Sequence, residues 1–206
     1  ASRTDYRVIL RDALVGALHD MARLRVPHAI IGGLAVSART EPRLTRDVDL
    51  AIAVVNDEAA ERVIYELREQ GYGVSGVLEQ SAVGRLATTR LVPPGLKGSG
   101  VVVDLLFASS GIEPEVVEAA EHILILKDVS APVATIGHLI ALKLLSEGKR
   151  RPHDAADLVA LSKAASPFDF AQARSAVRLI AERGYNRGRD LETALSALIG
   201  SVDSTF

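Results

Sequence analysis

The chain has 206 residues, of which 48% are hydrophobic, carries a formal net charge of -2 and contains no cysteine. This length can bury a full hydrophobic core, and the weakly acidic balance excludes a protein coated in positive charge for unspecific nucleic-acid binding. Because there is no thiol, disulfides and thiolate zinc sites are also excluded, so a metal would need oxygen or imidazole ligands.

We expect a protein that does not enter a membrane. No stretch of the sequence reaches the roughly 18 uninterrupted apolar residues that a membrane helix needs. The first residues, which include Asp5 and Asp12 among arginines, lack the pattern of a signal peptide. Together these features predict a cytoplasmic location.

Hydrophobic periodicity predicts a mixed first half and a helical second half. In the first half, helical spacing predicts helices at 9–24, at 34–39 and from the N-cap Asn56 to Gly71. Short apolar runs predict strands at 29–31, 48–55, 74–78, 85–91, 101–107 and 123–126. In the second half, with Thr135 as an N-cap, helices are expected at 133–146, 152–164, 171–183 and 191–199. We therefore predict an α/β (α+β) fold, with a small mixed sheet in a domain of residues 1–130 and a helical bundle in residues 131–206.

Two aspartates stand at the head of the strand predicted at 48–55. Asp47 and Asp49 are one residue apart, so in a strand their carboxylates project side by side to the same face. A hard divalent cation such as Mg²⁺ relieves the repulsion between two such carboxylates. The alternative is that one or both are turn or cap residues, which aspartate commonly is at a strand end.

A third acidic residue, Asp104, lies inside the apolar stretch VVVDLLF. A carboxylate at the centre of a buried strand is costly unless it has a partner. That partner is either the same metal or a nearby arginine.

Gly32 and Gly33 lie where a strand passes into a helix. Without side chains they let the backbone approach a phosphate, which the free N–H groups of the helix help to hold. A Gly-Gly pair by itself is also a common turn, and we expect a tight turn here.

Basic residues gather at two places in the sequence: Arg39, Arg43 and Arg46, and then Lys149, Arg150 and Arg151. Each cluster is either a local basic groove or a solvated face. Arg46, directly before Asp47, either contacts a triphosphate or is simply solvated.

These motifs, in this order, resemble a known family. The strand ending in Gly-Gly, the sequence Asp47-Val48-Asp49-Leu50 and the later Asp104 look like the nucleotidyltransferase fold of DNA polymerase beta type. Within it, the stretches IGGLAVSART, LTRDVDLAI and LIALKLLSEGKRRPHDAADLVAL are most similar to the AbiEii-type (MenT-like) toxin nucleotidyltransferases. The resemblance covers about residues 27–161.

The resemblance implies roles for two further residues. Lys143 corresponds to a lysine that contacts the nucleotide phosphates, and Asp154, with its helical neighbour Asp157, to an acid that acts as base or organises the site. Judged without the resemblance, Lys143 is equally well a lysine snorkelling from the edge of its helix, and Asp154 a carboxylate that suits the helix dipole.

The implied activity is transfer of a nucleoside monophosphate from an NTP to an acceptor hydroxyl, with release of pyrophosphate. Asp47, Asp49 and Asp104 would hold Mg²⁺ (or Mn²⁺), while Gly32, Gly33, Arg46 and Lys143 would bind the nucleotide. The resemblance further implies an RNA acceptor, the tRNA 3′ end, and a toxin opposed by an antitoxin. Two other hypotheses stay open: a small-molecule acceptor such as an antibiotic, and a nucleotidyltransferase-like protein that binds without catalysis.

Overall fold

The computed structural model of the protein describes residues 3–43, 45–80, 83–146 and 152–203. The basic cluster of Lys149, Arg150 and Arg151 lies outside the described residues. The helices are α1 (Arg3–Arg23), α2 (Gly32–Arg39), α3 (Asp57–Glu69), α4 (Glu113–Glu118), α5 (Ile136–Ser146), α6 (Pro152–Ala164), α7 (Pro167–Glu182) and α8 (Leu191–Asp203). The strands are β1 (His28–Ile31), β2 (Asp47–Ile52), β3 (Gly73–Gln80), β4 (Arg85–Val92), β5 (Val102–Leu106), β6 (Glu121–Leu126) and β7 (Val129–Val133).

The strands form one mixed sheet in the order β3-β4-β5-β2-β1-β7-β6. β2 runs parallel to β5 and β1 parallel to β7, whereas the other neighbours are antiparallel. The central strands β2 and β5 contribute Val48, Leu50, Val103 and Leu105 to the core, each at most 1% exposed. The predicted α/β (α+β) class with a mixed sheet is therefore confirmed.

The helices that follow the sheet continue the same hydrophobic core. Leu139 and Ile140 of α5, Leu161 of α6, Ile180 of α7 and Leu195 of α8 are each at most 1% exposed. The predicted C-terminal helices are thus present. None of the helices in the described ranges combines the length and apolarity that a membrane span requires.

Three local expectations differ from the structure. Gly32 and Gly33 do not form a separate turn, because α2 begins directly at Gly32. Residues 129–133 form β7, so α5 begins at Ile136 and not at residue 133. The helix α4 was not expected, since its six residues are too few to show a helical period. The division at residue 130, which falls within β7, stays a prediction.

The N-cap of α3 gives a direct test of the local sequence signals. Asn56 is exposed, and its side-chain oxygen accepts a hydrogen bond of 2.9 Å from the backbone N–H of Ala59. Asn56→Ala should lower the free energy of unfolding by about 1 kcal/mol because it leaves that N–H without its cap. Denaturant unfolding measures this loss, with Asn56→Ser as the capping control that should stay within about 0.5 kcal/mol of wild type. Equal stability of the two variants would contradict the cap.

Candidate active site

The strand β2 presents two carboxylates on one face of the sheet. Val48 and Leu50 point into the core, whereas Asp47 and Asp49, which alternate with them, are half-buried. This alternation follows from the period of two residues in a strand. The two aspartates therefore share the face opposite the one that packs on the core.

The third carboxylate lies directly beside them. β5 pairs with β2 in parallel, and the register places Asp104 opposite Asp49. Because paired residues of neighbouring strands point to the same face, Asp47, Asp49 and Asp104 form one acidic group, called here the carboxylate triad. The structure thus brings together the three acids that the sequence singled out, although Asp104 follows Asp49 by 55 residues in the chain.

Arg90 of β4 completes this group, and sequence reasoning missed it. Arg90 lies opposite Asp104 in the antiparallel β4–β5 register. Its Nε donates to Oδ1 of Asp104 at 2.8 Å, and its Nη2 donates to Oδ2 at 2.7 Å. This bidentate pair occupies both carboxylate oxygens of Asp104 and is the arginine partner that the sequence left open. The sequence signal for Arg90 was its position as a charged residue between buried ones in the strand RLATTRLV.

Two residues in and beside the triad, Asp47 and Arg90, have raised pKa values. Burial, followed by the Asp104 carboxylate, raises the pKa of Asp47. The positive charges of Arg90 and Arg46 offset part of that rise in pKa. The hydrogen bond to Asp104 is the largest cause that raises the pKa of Arg90. With three carboxylates and one guanidinium on the face, the group favours binding of a further cation.

No metal-binding arrangement of three or more acidic or histidine side chains occurs among the residues that the structure describes. The chemistry of the donors nevertheless fits a hard cation, because Asp47 and Asp49 offer neighbouring carboxylate oxygens on one face. Asp104 differs from them, since Arg90 already binds both of its oxygens.

The start of α2 lies against the triad. Gly32 has a φ of 65°, which favours glycine, and a Cβ at this position would overlap the carboxylate of Asp49. The residue before the helix, Ile31, provides no side-chain cap. The first backbone N–H groups of α2 therefore receive no cap from Ile31, and N–H groups at a helix start can bind an anion.

The other side of the same helix start faces a different loop. A Cβ on Gly33 would lie 2.6 Å from Oγ1 of Thr45 and 3.0 Å from Nη2 of Arg43. Both contacts come from the segment between α2 and β2. Gly32 therefore lies next to the triad, and the adjacent Gly33 lies next to the cationic side chain of Arg43.

Lys143 and Asp154 meet in a second, buried cluster. Nζ of Lys143 donates to Oδ1 of Asp154 at 2.7 Å and lies 2.7 Å from Oδ2 of Asp157. Ser146 also donates to Asp154, at 2.9 Å. The side chains of Lys143, Asp154 and Asp157 are 12%, 6% and 1% exposed, so these charges neutralise one another in a dry environment. The lysine therefore does not snorkel into solvent.

Arg43 connects this cluster to the helix start. Its Nη2 donates to Oδ2 of Asp157 at 2.7 Å, and its Nε lies 2.6 Å from Oδ1 of the same carboxylate. We call Arg43, Lys143, Asp154 and Asp157 the charge network. A Cβ on Gly33 would lie close to Arg43 and a Cβ on Gly32 would overlap Asp49, so the network and the carboxylate triad lie on the two sides of the start of α2.

The remaining arginines of this region have other surroundings. Arg39 donates to the backbone carbonyls of Val133 and Ala134 and to Glu121, so it fastens α2 to the β6–β7 end of the sheet. The exposed Arg46 lies over the ring of Tyr6, 5.8 Å from its centroid, next to Asp47. Contact of Arg46 with a nucleotide stays a prediction.

A cleft of about 540 Å³ lies at the opposite ends of β2 and β5 from the triad. It is lined by residues that follow these strands, among them Val55 and Phe107, and by Arg85, Glu113 and Arg183. None of the predicted site residues lines it. The cleft is therefore separate from the candidate active site.

The family profile described as "Nucleotidyl transferase AbiEii toxin, Type IV TA system" matches residues 22–203. The chain belongs to this family. The match includes the triad, the helix start and the charge network, and it confirms both the resemblance and the expectation of a nucleotidyltransferase. Comparison with curated proteins finds no match for this AbiEii-family chain.

Solved structures of nucleotide-transferring proteins are also similar to the AbiEii-family chain. An antigenic nucleotidyltransferase-like protein from Paracoccidioides brasiliensis is 20% identical, covering 95% of this chain and 94% of that one, with a TM-score of 0.49. The lincosamide antibiotic adenylyltransferase LnuA, bound to lincomycin, is 14% identical over 75% and 97%, with a TM-score of 0.46. The antibiotic-resistance factor ANT(2'')-Ia is 15% identical over 97% and 96%, with a TM-score of 0.44. Membership of the AbiEii family rests on the profile match over residues 22–203.

The close contact of Gly32 with Asp49 can be tested by adding one methyl group. Gly32→Ala should reduce nucleotidyl transfer by about tenfold or more and destabilise the fold by about 2 kcal/mol, because the Cβ displaces the Asp49 carboxylate and strains a left-handed residue. Gly84→Ala is the matched control, since Gly84 has a φ of 62° with open space around its Cβ. Gly84→Ala introduces the same backbone strain without displacing a side chain, so nucleotidyl transfer should be unchanged. Equal loss of activity in both variants would contradict the contact.

Proposed function

We propose that this AbiEii-family nucleotidyltransferase moves a nucleoside monophosphate from an NTP to a hydroxyl at the 3′ end of an RNA, with tRNA as the acceptor. The observation that most supports the transfer of a nucleotide is the start of α2, which has the carboxylate triad on one side and the charge network on the other. A triphosphate can bind where the N–H groups of a helix start, carboxylates that suit a cation and a cationic side chain lie together.

Asp47 and Asp49 would hold a Mg²⁺ or Mn²⁺ ion. Such an ion would supply positive charge for phosphate oxygens that gain negative charge during transfer. Burial and the Asp104 carboxylate raise the pKa of Asp47, and a cation bound there would offset both by stabilising the ionised carboxylate. Asp104 supports the pair from the adjacent strand, held in a fixed orientation by Arg90.

The residues around the helix start position the triphosphate. Gly32 and Gly33 allow it to approach the backbone, Lys143 attracts it, and Arg46 lies at the entrance beside Asp47. Asp154 orients Lys143 through their hydrogen bond of 2.7 Å. Phosphoryl-type transfer depends mainly on such positioning and charge neutralisation, so no covalent nucleophile on the protein is needed.

The family description names a toxin of a type IV toxin–antitoxin system. We therefore infer that transfer to tRNA arrests translation in the cytoplasm, where NTPs and tRNA are available, and that a cognate antitoxin opposes it. The modified 3′ end would no longer accept an amino acid.

A small-molecule acceptor is the second candidate. The formal net charge of -2 and the acidic triad favour a cationic compound over a polyanion. Arginines of the C-terminal part also have intramolecular partners: Arg178 pairs with Glu192, Arg183 with Glu115, and Arg187 with Ser109. These contacts leave less positive charge for the RNA backbone than an RNA-binding surface usually offers.

The deciding experiment incubates the protein with Mg²⁺ and each α-labelled NTP separately, with total tRNA or with a panel of aminoglycoside and lincosamide antibiotics. Label on tRNA from one or two of the four nucleotides is the expected result. Label on an antibiotic instead would transfer the proposal to the second candidate. No label on either acceptor, with Mg–NTP binding confirmed by calorimetry, would indicate a binding protein without catalysis.

Removal of one carboxylate charge tests the metal-binding role. Asp49→Asn should lower nucleotide incorporation by at least about 100-fold, because it removes a charged ligand without changing shape. Asp128→Asn is the matched control, since Asp128 pairs with Arg11 on the surface, away from the triad. It should retain full activity, and both variants should unfold within about 1 kcal/mol of wild type. Undiminished incorporation by Asp49→Asn would remove the proposed metal site.

A further inference from the structure

Arg43 belongs to the charge network although neither its sequence position nor the activity assigns it a role. Its side chain is 30% exposed, pairs with the buried carboxylate of Asp157 and would lie 3.0 Å from a Cβ placed on Gly33. It contacts both oxygens of that carboxylate, at 2.6 and 2.7 Å. The side chain thus reaches from the interior of the network to the helix start where the triphosphate is proposed to bind.

The network contains two cations and two carboxylates, so its formal charge is zero. Oδ2 of Asp157 is shared, because it lies 2.7 Å from Nη2 of Arg43 and 2.7 Å from Nζ of Lys143. Lys143 has a second carboxylate partner in Asp154. Without Arg43, one lysine would face two buried carboxylates, and the network would carry a net charge of -1.

A net negative charge at this place would act against the proposed substrate. Lys143 would be bound more tightly by its two carboxylates, and the excess charge would repel the triphosphate. The effect is strong because the groups are buried, where charges are poorly screened. Arg43 compensates Asp157, so that no net negative charge builds up around Lys143 to repel an incoming anion.

We propose that Arg43 is a positioning residue that tunes Lys143 for the triphosphate by neutralising Asp157. The inference rests on the proposed function, since it assumes that an NTP binds at the start of α2. It predicts an effect on NTP binding and not on the chemical step, because Arg43 acts on the triphosphate through Asp157 and Lys143.

A purely structural role gives a different expectation. If Arg43 only fastens the α2–β2 loop to α6, then removal of either partner breaks the same link, and removal of both cannot repair it. If Arg43 acts by charge, then Asp157→Asn in addition to Arg43→Ala restores a neutral network. The double variant therefore separates the two roles.

The experiment measures kcat and KM for the NTP in wild type, Arg43→Ala, Asp157→Asn and the double variant. Arg43→Ala should raise KM about tenfold with kcat within about twofold of wild type, and the double variant should return KM to within about threefold. Arg62→Ala is the control, because Arg62 forms an exposed ion pair with Glu58 on α3, and it should leave both constants unchanged.

Arg43→Gln is measured in parallel, since it keeps a hydrogen-bond donor near Asp157 without the charge and serves if Arg43→Ala does not fold. An unchanged KM in Arg43→Ala or Arg43→Gln, or a double variant no better than the single one, overturns the inference. Calorimetry with each of the four Mg–NTPs measures Kd, which allows the same comparison between wild type and the variants. If wild type transfers no label, the proposed activity fails, but a tenfold weaker Kd that Asp157→Asn restores would still support the role of Arg43.

Discussion

The parallel pairing of β2 with β5 is the constraint on which the candidate site depends. It places Asp104 opposite Asp49, so three carboxylates share one face of the sheet while the opposite face packs on the core. Like charges at this distance oppose folding unless positive charge lies nearby. Arg90 supplies part of it, from the strand on the other side of β5. The remaining excess of negative charge is what makes the face suited to a cation.

The start of α2 joins two groups of charges that are otherwise separate. Glycine at 32 allows the Asp49 carboxylate to lie against the helix start, and glycine at 33 allows Arg43 to do so from the other side. Buried charges are tolerated in proteins when they are paired, and Lys143 and Asp157 are paired in this way. A site with its charges already placed needs little rearrangement when a triphosphate arrives, which is the main contribution a protein makes to this type of transfer.

Much of the fold and of the site could be predicted from local patterns. The Asn56 cap, the alternation of Asp47 and Asp49 with buried residues, and the helices that contain Lys143 and Asp154 are short-range features, and the structure agrees with them. Two expectations were wrong: the tight turn at Gly32 and Gly33, where α2 already begins, and the helix from residue 133, which still belongs to β7. Contacts with neighbouring strands of the sheet decide both. β7 pairs with β6, which precedes it, and also with the distant β1, where Ile30 lies opposite Val133.

The sequence by itself determined the family, the acidic motif and the residue types available for phosphate and metal chemistry, since these depend on spacing along one strand or one helix. The tertiary structure decided which charges meet. Arg90 with Asp104, and Arg43 with Asp157, are separated by 14 and 114 residues, and each pair exists because strand register or helix packing brings the two side chains together. Local spacing carries no record of such contacts, because the free energy that forms them comes from burial of the whole core.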